Sequence, residues 1–84
     1  MKDNSLSFSL FKSGDLVRVK DDLIVSNHYG KEIFSILMSK YCGKVFRVQY
    51  CKQVFVNSKF SHWVYSLYGI PSCMSWTYEM LKLI

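Results

Sequence analysis

Apolar residues along this chain fall into short alternating runs set apart by glycine-bearing turns. In Leu16-Val17-Arg18-Val19-Lys20 the two valines share one face and Arg18 and Lys20 the other, which predicts a first strand with its valines inward. The preceding Phe11-Lys12-Ser13-Gly14-Asp15 predicts a turn, because Gly14 is free to take positive φ and Asp15 can bond nearby backbone. Asp21-Asp22 ends the strand, and Ser26 to Gly30 is a second turn-rich stretch. From Lys31 to Tyr41 the apolar Ile33, Phe34, Ile36, Leu37 and Met38 recur at three- and four-residue spacing, predicting one or two helical turns closed by Gly43. Alternation returns from Lys44 to Cys51, with Phe46, Val48 and Tyr50 predicted inward and Arg47 and Gln49 outward.

Lys52 to Ser58 is strand-forming through Val54, Phe55 and Val56, and Asn57-Ser58-Lys59 predicts a hairpin turn into Phe60 to Tyr68. Within that last run Trp63, Tyr65 and Leu67 share one parity and are expected in the core. Gly69 to Ser72 is the final turn, where Pro71, lacking an N–H, stays out of a central strand. Cys73 to Trp76 then reads as a short closing strand, and Thr77 as the cap of one helical turn holding Glu79, Met80 and Leu81. Residues 1–9 are polar with isolated Leu6 and Phe8 and read as a flexible arm; residues 10–84 read as a single domain. The expected fold is mainly β: a small five-stranded antiparallel SH3-like barrel with a short helical excursion and a C-terminal helical turn. A five-stranded OB-type barrel is the alternative, since such short strands bury aromatics only by wrapping on themselves. Trp76 is expected to be buried against Val17, Val19 and Phe46.

Composition agrees with a packed but small core. Of 84 residues 50% are hydrophobic and 17% aromatic. A chain this short buries only about 60–65% of its unfolded surface, so its aromatic rings must supply much of the core. Charge is more telling in its placement than in its sum of +5. No acid lies between Ile33 and Tyr78, and the interval carries Lys40, Lys44, Arg47, Lys52 and Lys59, while the remaining basic and acidic residues balance. A basic surface favours nucleic acid or an acidic protein face as partner.

Candidate chemistry is thin. Cys42, Cys51 and Cys73 are odd in number, with no secretory signal pattern before them, which points to a reduced, cytoplasmic setting. No apolar run approaches the roughly 20 residues of a membrane span. The cysteines include no Cys-x-x-Cys knuckle, so neither metal nor cofactor is expected. His28 and His62 lie in no recognisable nucleophile elbow, and Gly14, Gly30, Gly43 and Gly69 stand alone rather than in a phosphate loop, so no enzymatic activity is expected. What remains is basic residues interleaved with aromatics. Lys40, Lys44, Arg47, Lys52, Phe55, Lys59 and Phe60 are the candidate partner-binding residues, serving an acidic protein pocket by charge and anchor rings or a single strand of nucleic acid by phosphate contact and stacking.

Four pieces carry a family resemblance: Phe11-Lys-Ser-Gly-Asp-Leu-Val-Arg-Val-Lys20, the Tyr29-Gly30 pair, Met38 followed by Tyr41-Cys-Gly-Lys-Val45, and Trp76-Thr-Tyr-Glu-Met-Leu81. In these the chain resembles a family of small proteins encoded by phages, prophages and other mobile elements of low-GC Gram-positive bacteria. It departs from the family pattern in having Tyr78 at an acidic position and a longer insertion from Gln53 to His62. The resemblance implies an SH3-like barrel and a mobile-element source in the cytoplasm of a bacterial host, and it assigns no reaction. The functional expectation is a non-catalytic protein-binding module that covers the acidic face of a host protein. Its specific form is an anti-CRISPR-like inhibitor of a nuclease-based defence complex. The alternative is a nucleic-acid-binding barrel, since Gly-Asp-x-Val-x-Val with a later Gly-Lys-Val also recurs in nucleic-acid-binding and chromatin-type SH3-like barrels.

Overall fold

A computed structural model describes residues 10–84; the expected arm of residues 1–9 lies outside them. The Gly14 turn forms as its residues dictate. Gly14 has φ +94°, the Asp15 carboxylate accepts from the Lys12 amide at 2.9 Å, and the Gly14 amide donates to the Val48 carbonyl. Strand β1 (Leu16–Val19) follows with Val17 and Val19 fully buried, as alternation requires.

Next comes the excursion. A small hairpin, β2 (His28–Tyr29) and β3 (Glu32–Ile33), turns at Gly30, whose φ is +69°. A 3-10 helix over Ile36–Tyr41 follows, which buries Met38 and leaves Ile36 and Leu37 exposed. The predicted helical stretch from Lys31 is therefore shorter at its start, because Glu32 and Ile33 are paired in β3 while Phe34 drops into the core.

Two long strands carry most of the sheet. β4 (Val45–Val56) is continuous, so the runs read as Lys44 to Cys51 and Lys52 to Ser58 are one strand, and β5 (Lys59–Leu67) returns beside it. Asn57 and Ser58 both take left-handed φ, +52° and +65°, the backbone of a two-residue hairpin turn that matches the strand twist. Opposite Val48 and Tyr50 stand Leu67 and Ser66, so Gln49 is one extra residue on β4, a bulge. It shifts the inward parity by one. Tyr50, expected inward, is exposed, and Cys51 takes the inward place, its thiol donating to the Phe11 carbonyl at 3.1 Å.

The closing segment differs from the expectation. Cys73 to Trp76 is not a strand; only Trp76 makes an isolated bridge, to Tyr65. The helical turn is limited to Tyr78–Met80, and Leu81 belongs instead to the last strand, β6 (Leu81–Leu83), antiparallel to β1. Thr77 is its N-cap, as expected, but through its backbone: its carbonyl accepts from the Met80 amide at 3.1 Å, while its hydroxyl donates to the Tyr29 carbonyl at 2.8 Å.

Sheet order is β5-β4-β1-β6 with β2-β3 apart, so among the described residues six strands in two sheets stand where five were expected. The fold is mainly β, and its four-stranded antiparallel sheet curls into a half-barrel. Trp76 is fully buried, with its ring centroid 6.5 Å from that of Phe34 and 6.2 Å from that of Tyr41, which in turn packs edge-on against Phe46. Val17, Val19, Tyr65 and Leu67 share this core, and Trp63 lies half-buried against it.

Candidate functional site: the β4–β5 arm

β1 covers β4 only as far as Arg47. From Tyr50 onward the partner of β4 is β5 alone, so the two strands run out as a two-stranded ribbon, the arm. No residue from Lys52 to Trp63 is fully buried. Isolated two-stranded hairpins are marginal in water, so the arm is held by its I′-type turn, its ladder and the side chains that bridge its strands. Phe55 stands directly opposite Phe60, their rings edge-on with centroids 6.1 Å apart, and Phe60 continues to Trp63 at 5.9 Å. This aromatic ladder joins the arm to the core. Its outer ring is nevertheless 57% exposed at Phe55, beside Val56 at 54%.

The structure divides the seven candidate residues. Lys52, Phe55, Lys59 and Phe60 sit together on the arm, with both lysines exposed. Lys40, Lys44 and Arg47 lie at the opposite end of β4 or on the 3-10 helix. Two of these are already engaged, since Arg47 Nη1 donates to the Gly14 carbonyl at 2.7 Å and Lys40 Nζ lies 5.3 Å from the Tyr41 ring centroid. The arm thus carries an aromatic face and, on its other face, two lysines, while Lys40, Lys44 and Arg47 lie toward the start of β4 or before it.

Toward the tip of the arm, beside the Phe55–Phe60 pair, a second irregularity appears. Val54 faces His62 and Phe55 faces Phe60, so Ser61 is the extra residue of a bulge on β5. Ser61 Oγ lies 2.8 Å from His62 Nδ1, and His62 Nε2 lies 2.7 Å from the Glu32 carboxylate on β3. Glu32 is therefore bound by an imidazole. Reasoning from sequence did not single out this trio. Consecutive strand residues point to opposite faces unless a bulge intervenes, and nothing local ties Glu32 to a residue thirty positions later.

Elsewhere, burial first and then the carboxylates of Asp21 and Asp22 push the Cys42 thiol above its ordinary pKa, so it stays protonated at neutral pH. Among the described residues no three of His, Cys, Asp and Glu gather as a metal site would require, and no helix is long and apolar enough to cross a membrane. No protein-family model, curated protein or solved structure matches this chain.

Proposed function

We propose that the protein is a binding module whose β4–β5 arm docks on an acidic face of another protein. One observation carries the reading: Phe55 is held edge-on to Phe60 yet left more than half exposed, on a ribbon whose other face carries the exposed Lys52 and Lys59. Pre-positioned aromatic rings are typical interface anchors, and their rigidity lowers the entropy lost on binding, while cations on the same ribbon favour an acidic partner. A partner covering the arm and its base buries about 800 Å² per side. The arm does this by contact alone, with no cofactor.

The finer reading makes the domain an SH3-like barrel and the partner a protein of nuclease-based defence in the cytoplasm of a bacterial host, which the module would inhibit in the anti-CRISPR manner. Support for the barrel comes from β1 lying between β4 and a last strand reached through one 3-10 turn. Support for the partner class is the resemblance of Phe11 to Lys20 and Trp76 to Leu81 to mobile-element proteins.

The test is affinity capture from an extract of the source cell, read by mass spectrometry, beside polarisation titrations with single- and double-stranded oligonucleotides at low salt. One protein retained at stoichiometric yield, with no oligonucleotide binding, is the expected result. Salt-steep oligonucleotide binding with no protein retained overturns it in favour of a nucleic-acid module.

A further inference from the structure

We propose that Ser61, His62 and Glu32 form an acyl-transfer site that cleaves small, activated esters. The proposal does not rest on the arm's protein partner. It rests on a hydrogen-bonded chain in the order nucleophile, base, orienting acid, at distances of 2.8 and 2.7 Å. The β5 bulge at Ser61 brings a serine and the histidine that follows it into contact, where a regular strand would send them to opposite faces.

The chemistry of the partners fixes the proton. An ionised carboxylate only accepts, so the Glu32 side requires His62 Nε2 to carry the hydrogen, which leaves Nδ1 as acceptor for the Ser61 hydroxyl. That is the tautomer a general base needs. His62 and Glu32 are partly shielded, with side chains 17% and 27% exposed, so their hydrogen bond is partly protected from water, while Ser61 is only half-buried.

Ser61 and His62 also line a cleft of about 360 Å³ walled by Trp63, Tyr65 and Tyr78, with Lys31 at its edge. A cleft at the small end of the range for ligand sites, with three aromatic rings in its walls, suits an aryl or short acyl ester. Lys31 places a cation on the same rim, where it can stabilise negative charge developing on a carbonyl oxygen.

In the first half-reaction Ser61 Oγ bonds to the ester carbonyl carbon and its proton passes to His62 Nδ1. The bond from that carbon to the leaving oxygen then breaks; the leaving oxygen takes the proton from His62, and an alcohol or phenol departs. Water attacks the acylated Ser61 in the second half-reaction, giving its proton to His62. The carbon–Oγ bond breaks, Oγ regains the proton, and a carboxylic acid leaves. Glu32 touches no substrate and is a positioning residue that stabilises the imidazolium in both halves.

Two measurements test this on the full chain. An aryl fluorophosphonate probe, followed by intact mass and peptide mapping, is expected to give one adduct, at Ser61, that Ser61→Ala abolishes. With p-nitrophenyl acetate, His62→Gln is expected to lower kcat at least tenfold. Glu32→Gln, which keeps a hydrogen-bond acceptor but loses the charge, lowers kcat with KM little changed, and Glu32→Asp recovers part of the loss. Thermal melts establish that each variant is folded, and Ser61→Ala removes only one oxygen. No adduct, an adduct at another residue, or Ser61 labelling at an unchanged rate in folded His62→Gln overturns the proposal and leaves the trio as a clip between arm and β2–β3 hairpin.

Discussion

Trp76 and Phe55 are both large apolar rings served by the β4–β5 pair, and the chain uses them in opposite ways. Trp76 sits at the base, bridged to Tyr65 and enclosed by Phe34 and Tyr41, with no exposed surface. Phe55 sits on the arm, touches Phe60, and leaves 57% of itself in water. At the base β4 has neighbours on both sides, and inward residues such as Val48 are sealed by them. Along the arm β5 is its one strand neighbour among the described residues, and Phe55 and Val56 stay more than half exposed. A domain with so little core to spare gains stability from the base and gains a surface from the arm. Division of this kind explains why exposed aromatics can be tolerated there: stability does not depend on them, and binding can.

The largest effect expected breaks the base. Trp76→Ala should cost about 3 to 5 kcal/mol, enough to unfold much of so small a domain, measured by urea denaturation. The lower figure is favoured because the indole Nε1 is buried with no hydrogen-bond partner among the described residues, and its removal relieves part of the loss. On the arm, Phe55→Ala should cost no more than about 1 kcal/mol, the worth of an exposed edge-on ring pair, by the same measurement. Equal losses at the two sites would erase the contrast.

Smaller changes sharpen it. Ser58→Gly places the residue suited to left-handed φ at the hairpin tip and should raise stability by about 0.5 to 1 kcal/mol without touching the core. At the base, Cys42 links stability to alkaline pH. Its folded pKa is raised above the unfolded value, so its contribution is full below that unfolded value and is lost as pH rises through the folded one. Wild type should therefore lose stability more steeply than Cys42→Ala above about pH 8.5. Alkylation at neutral pH should reach exposed Cys73 before Cys42.

Much of the base was legible from local pattern. Val17 and Val19 alternate, Gly14 and Asp15 make their turn, and Trp76 is buried as its size demands. The hairpin at Asn57-Ser58 was legible too, because strand-forming runs flanked a turn pair. What escaped depended on partners distant in sequence. The extra residue at Gln49 turned Tyr50 outward, and periodicity carries no signal for where a bulge falls. Leu81 to Leu83 became the closing strand only because β1 offered it an open edge, whereas Cys73 to Trp76 had a stronger local look and found a single bridge. Of the seven candidate residues, linear charge density drew Lys40, Lys44 and Arg47 together with the arm, but they lie on the 3-10 helix, in the loop before β4 and near the start of β4.

The most direct measurement compares wild type with the triple variant Lys52→Ala/Phe55→Ala/Lys59→Ala in two readouts, melting temperature and capture of the partner from source-cell extract. If the arm is a binding surface set on an independent core, the melting temperature shifts by only a few degrees while the captured protein is lost. A variant that retains the partner, or one that melts as early as Trp76→Ala, contradicts the account.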